Sequence, residues 1–139
     1  MPANAVTAPE SAPLKSPILL IPLSWFVPGA GHFLLGRKGR AAIIFGTVLL
    51  TFLVGIAMRG TLFHPTDNGD VLSRLIQFGG YIADMASGVF YFAAVFMGYG
   101  PLDVAGYAPD YGAKFLVAAG LLNILAIVDA YEICTRQKD

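Results

Sequence analysis

The sequence predicts an all-α integral membrane protein, a single helical bundle with three to four transmembrane helices. Three observations carry that expectation. Hydrophobic residues make up 56% of the chain. Charged residues make up only 13%, about half the share found in water-soluble domains. The apolar residues also gather into long runs instead of alternating with polar ones. Nine basic side chains balance nine acidic ones, so no net field draws in nucleic acid, which is excluded as a partner. Cys134 is the single cysteine; an internal disulfide and a cysteine-based zinc cluster are therefore ruled out.

Residues 1–16 are rich in Ala, Pro and Ser and carry no periodicity. They read as a disordered or partner-bound tail. The apolar run after Lys15 leads into Pro28-Gly29-Ala30-Gly31-His32, a poor cleavage region for a signal peptide, so that run is expected to be kept. Residues 17–135 then form one membrane domain, and residues 136–139 a polar end.

A helix needs about 20 apolar residues to cross about 30 Å of hydrocarbon. The first run, residues 17–35, is long enough but is interrupted by Pro22, Pro28 and the glycines after it. It spans as a kinked helix or forms a re-entrant or interfacial element, and Trp25 in its middle favours the second arrangement. The second run, residues 41–58, carries no charge and is bounded by Arg40 and Arg59, which makes it the clearest spanning helix. Ala42 and Gly46, and then Thr47, Thr51 and Gly55, recur at spacing four and suit close packing within the chain. The third run, residues 71–100, exceeds the minimum length and is expected to tilt or project. It places Gly80, Asp84 and Gly88 on one stripe. The fourth, residues 113–133, has a seam of Ala119, Asn123, Ala126 and Ala130, and Glu132 can pair with Arg136 one turn on.

Both connections between the later runs are short and rich in turn residues. Tyr99, Tyr107 and Tyr111 are expected at one interface, with Tyr81 and Tyr131 toward the other. If all four runs cross, Arg40 and Lys114 lie on one face of the membrane and Arg59 and Arg136 on the other. The dense Arg37-Lys38-Gly39-Arg40 run places its loop in the cytoplasm.

Two motifs carry a resemblance. The run from Pro28 through Gly29, Gly31, His32 and Phe33 to Gly36 and Arg37 resembles the opening of small bacterial membrane proteins related to the two-transmembrane-helix domain family. The closing run from Ala119 to Leu125, followed by Asp129, Ala130 and Tyr131, is similar to that of an uncharacterised bacterial family of multi-pass membrane proteins. The resemblance implies a compact helical domain in a bacterial inner membrane and brings no activity with it.

Few residues offer chemistry. His32 follows the glycine turn; it could ligate a metal, haem or other pigment through a ring nitrogen, or cap the turn by bonding backbone groups freed by Pro28 and the glycines. No resident metal or cofactor is predicted. Residues 64–70 look superficially like a calcium loop but lack its acidic series and terminal Glu, so they read as a solvated turn. No phosphate loop, nucleophile elbow or zinc-protease pattern occurs, and Ser24, Ser73 and Ser87 have no evident base. No catalytic residue is assigned and a non-enzyme is expected.

Asp84, Asn123 and Asp129 remain as membrane-depth polar groups. If the third and fourth runs form an antiparallel hairpin, Asp84 and Asp129 fall at similar depth and form a structural polar cluster in which at least one acid is held protonated or has a basic partner. The expected function is an accessory or structural subunit of a larger membrane complex, such as a respiratory or photosynthetic one, in contact with lipid and other membrane subunits. The alternative is a small oligomeric channel or transporter, with Asp84, Asn123 and Asp129 lining a polar path.

Overall fold

The computed structural model describes residues 17–64, 68–100 and 106–135. Among these residues six helices follow one another: α1 Pro17–Phe26, α2 Ala30–Leu34, α3 Lys38–Ala57, α4 Val71–Ala86, α5 Val89–Phe96 and α6 Tyr107–Cys134. The protein is an all-α membrane bundle. Two helices, α3 and α6, are long and apolar enough to cross a bilayer. At 1.5 Å per residue they measure about 30 and 42 Å.

These two form an antiparallel pair. At one end the Gly60 backbone lies against Gly112, so closely that a Cβ on either glycine would overlap the other residue's backbone. At the other end Arg40, near the start of α3, reaches Asp129, near the end of α6, with Nη1 to Oδ2 at 3.4 Å. The small-residue seam of α6 faces inward as its spacing predicts: Ala119, Asn123 and Ala130 are fully buried and Ala126 nearly so. On α3 the inward residues are Ala41, Val48, Phe52 and Gly55, while nothing packs against Gly46. The main core joins Val48, Phe52, Leu62, Tyr91, Ala94, Leu116 and Ala119. Large apolar side chains on the outside, such as Ile43, Leu50, Leu72, Phe96 and Leu125, present the surface that lipid covers.

The third apolar run is not one helix. It breaks after Ala86, and α4 and α5 meet at 101°. Gly88 makes the break: its φ is +67°, and a Cβ there would collide with the carbonyls of Trp25 and Phe26. Up to the break, α4 runs alongside α6, with Ala83 against Gly120 and the Ala86 carbonyl at Asn123. Beyond it, α5 turns back, and the Tyr99 hydroxyl donates to the Gly60 carbonyl at 2.6 Å. The bent pair thus dips in and returns to the Gly60 end.

The first run behaves in the mirrored way, as the re-entrant alternative requires. Leu20 packs with Ala130 and Cys134 at the Arg40 end, and the Trp25 carbonyl reaches Asn123. The chain then turns at Gly29, with φ +82°, and α2 brings Gly31 back against Ala130. At ten residues, α1 covers only half a bilayer.

Three expectations are corrected by this topology. Residues 71–100 do not form a continuous spanning helix, because Ser87 and Gly88 interrupt it. Lys114 does not lie opposite Arg59, because both sit at the Gly60 end of the α3 and α6 pair. Tyr81 does not reach a far interface; its ring meets Tyr91 edge-on at 6.3 Å, against the core. The tail of residues 1–16, with Lys15, and the polar end with Arg136 and Lys138 lie outside the described residues, as do residues 65–67 of the supposed calcium loop. Asp70 of that loop is the N-cap of α4, accepting from the Ser73 amide at 3.3 Å.

Candidate functional site

The two dipping elements meet at Asn123. This residue lies midway between Gly112 and Cys134, about 16 Å along α6 from each, and is fully buried. Helix breaks at this depth free backbone carbonyls that lipid cannot satisfy. Asn123 Nδ2 donates to the Ala86 carbonyl at 2.7 Å and to the Trp25 carbonyl at 3.0 Å, so one amide closes both breaks. The Trp25 indole donates to the Met85 carbonyl at 3.2 Å, and the Ser87 hydroxyl to the Asp84 carbonyl at 2.7 Å. Trp25 and Phe26 also contact Phe92 of α5, with ring centroids 6.0 and 6.4 Å apart. Small residues let the backbones come this close: a side chain on Gly120 would overlap the Ala83 carbonyl.

A second polar group lies at the Arg40 end. The turn motif positions it: Pro28 and Gly29 send the chain back, Gly31 packs beneath Ser24 and Ala130, and His32 is carried against α6. His32 Nε2 and Asp129 Oδ2 are 2.8 Å apart, with the imidazole fully buried and the carboxylate about a quarter exposed. Arg40 shares the same carboxylate oxygen from the solvent side. The motif closes on Gly36, with φ +79°, and on Arg37, whose amide bonds the His32 carbonyl at 2.9 Å before α3 begins.

A family of unknown function, DUF6677, matches residues 19–139. The chain belongs to DUF6677. The match takes in both the His32 turn and the Asn123 seam, and it is consistent with the resemblance to an uncharacterised family. No curated protein and no solved structure matches the chain.

In this DUF6677 fold the three membrane-depth polar residues do not form one cluster. Asp84 is fully buried and accepts the Phe63 amide at 2.7 Å, which pins the non-helical strip after Gly60. Asn123 serves the helix breaks, and Asp129 serves His32 and Arg40. Since α6 meets α4 at Gly120 and Asn123, Asp129 is carried about 14 Å beyond the Ala83 level. The expectation of equal depth failed because it assumed a continuous third helix. His32 also departs from its expected capping role, since its ring bonds a side chain on α6 and not the freed backbone. Its Nδ1 is buried and has no hydrogen-bond partner among the described residues, and no cluster of three metal-ligating side chains occurs among them. Sequence reasoning passed over Trp25 and Ser87 as break-closing donors and did not pair His32 with Asp129. The places of His32 and Asp129 in the two quoted motifs were the available signal for that pair.

Proposed function

We propose that this protein is a non-catalytic accessory subunit of a larger assembly in a bacterial inner membrane. The observation that supports the reading is the use made of the polar residues at mid-depth. Asn123 and Trp25 donate to backbone carbonyls at helix breaks, and Asp84 accepts a backbone amide. A polar path would need such groups directed into a channel; here Asn123 Nδ2, Trp25 Nε1 and Asp84 Oδ2 hold the chain to itself, while Asn123 Oδ1 and Asp84 Oδ1 are buried with no hydrogen-bond partner among the described residues. The outer face, in contrast, offers apolar grooves between helices, one of about 450 Å³ lined by Phe52, Leu53, Phe90 and Met97, on which a neighbouring subunit can seat.

A channel or transporter is the second reading, favoured by one feature. Half-length helices that meet at mid-depth with their carbonyl ends converging are an arrangement by which ion-coupled transporters hold cations. In this protein the Asn123 amide occupies the position between the two carbonyls. Purification from the native membrane in mild detergent separates the readings. A stoichiometric complex with other membrane proteins, and no ion flux from the isolated chain in liposomes, is the expected outcome. A homo-oligomer that conducts ions, with flux lost in Asn123→Leu, would replace the accessory reading with the transport one.

A further inference from the structure

The outer face of the α3 and α6 pair carries a groove of about 420 Å³, within the size range of small-molecule sites. Ile43, Thr47, Leu122 and Leu125 line its apolar length, and Asp129 and Glu132 stand at one end. From Leu122 to Glu132 the groove follows α6 for about 15 Å, half of a hydrocarbon thickness of about 30 Å. It therefore runs the depth of a single leaflet. The acids stand at the Arg40 end, where the headgroups of that leaflet lie, and Arg40 is about half exposed beside them.

Charge narrows the occupant. It must be apolar for one leaflet, then offer a cation to two carboxylates and an anion to one guanidinium, all at the same level. A transmembrane helix would overrun the groove toward the opposite leaflet, and an anionic lipid would bring its headgroup against Glu132 where Arg40 is already paired with Asp129. We propose that the groove binds one acyl chain of a phospholipid bearing a primary ammonium, the ammonium held by Glu132 and Asp129 and the phosphate by Arg40. A quaternary ammonium of equal charge has no N–H to donate, so the carboxylates discriminate against it.

The test uses the full chain in detergent and does not depend on whether a partner complex exists. Phosphatidylethanolamine, phosphatidylcholine and phosphatidylglycerol with identical chains are added in turn, and retained lipid is counted by native mass spectrometry. One phosphatidylethanolamine should be retained, with a preference of roughly tenfold over the other two, the scale of one hydrogen bond to a charged group. Glu132→Gln should cut the preference over phosphatidylcholine. Thr47→Phe, which fills the groove from an exposed position, should reduce retention of all three. Equal retention of the three lipids by the wild-type chain would overturn the proposal. So would retention unchanged by Thr47→Phe, a preference untouched by Glu132→Gln, or a second polypeptide crosslinked through a cysteine placed at Thr47.

Discussion

Asn123 on α6 and Ala86 at the end of α4 are joined by a side-chain amide to carbonyl bond of 2.7 Å, and the same nitrogen reaches across to the Trp25 carbonyl. One residue therefore binds a helix break from each side of the membrane. The cost of removing it follows from what it leaves behind. Asn123→Leu strands two buried carbonyls, and each unmade bond costs about 1 to 3 kcal/mol. Thermal or denaturant unfolding in detergent should show a loss of at least about 2 kcal/mol, whereas Asn123→Gln, which keeps the amide, should lose less. Equal losses in the two variants would show that volume, and not the bond, matters at this position.

Close backbone approach makes the second prediction. Gly112 faces Gly60, and Gly120 faces the Ala83 carbonyl, with no space for a Cβ in either case. Gly120→Val should therefore destabilise the bundle by about 1 to 3 kcal/mol or more, the usual cost of overpacking. The same change at Gly46, where nothing lies nearby, should cost far less. Unfolding midpoints of the two variants, measured side by side, check the contrast.

The sequence made some of this architecture legible and hid the rest for physical reasons. The α6 seam was readable because Ala119, Asn123, Ala126 and Ala130 recur at helical spacing, and all four are inward. The weakness of the first run was readable from Pro28 and the glycines, and Trp25 at mid-run pointed to a dip. The break at Gly88 was not, because glycine is common inside membrane helices and only its positive φ marks the turn. Missing that break misplaced Lys114, Tyr81 and the Asp84 to Asp129 relationship together. The His32 to Asp129 bond joins residues 97 apart, and no local pattern specifies such a pairing.

That bond supports a third prediction. His32→Ala removes one of the groups that bond Asp129, and Asp129→Ala removes the partner of His32 Nε2, so the double variant should be less unstable than the sum of the singles. A double-mutant cycle should return a coupling of about 1 kcal/mol, read from unfolding in detergent. Strict additivity would mean that the two side chains are neighbours without being energetically linked.

Asp70 gives a pH dependence outside the membrane. Bonds from the Ser73 side chain and backbone hold its carboxyl below the usual carboxylate value. A depressed folded pKa stabilises the start of α4 at any pH above the unfolded value, and the effect is lost as pH falls through the folded value. Hydrogen exchange at the Ser73 amide should therefore speed up in acid relative to the middle of α4, and Asp70→Ala should show the faster exchange already at neutral pH. Unchanged protection of Ser73 in Asp70→Ala would remove the cap from the account.

The central claim is that, among the described helices, α3 and α6 cross the membrane, with α1 dipping in from the Arg40 end and the α4 and α5 pair from the Gly60 end. Single cysteines at Arg40, Arg59 and Lys114 in a Cys134→Ala background test it most directly, by labelling with a membrane-impermeant reagent from each side of sealed vesicles. The account predicts that positions 59 and 114 label from the same side and position 40 from the other. Labelling of 59 and 114 from opposite sides would mean that the bent pair crosses the membrane, and would contradict the account.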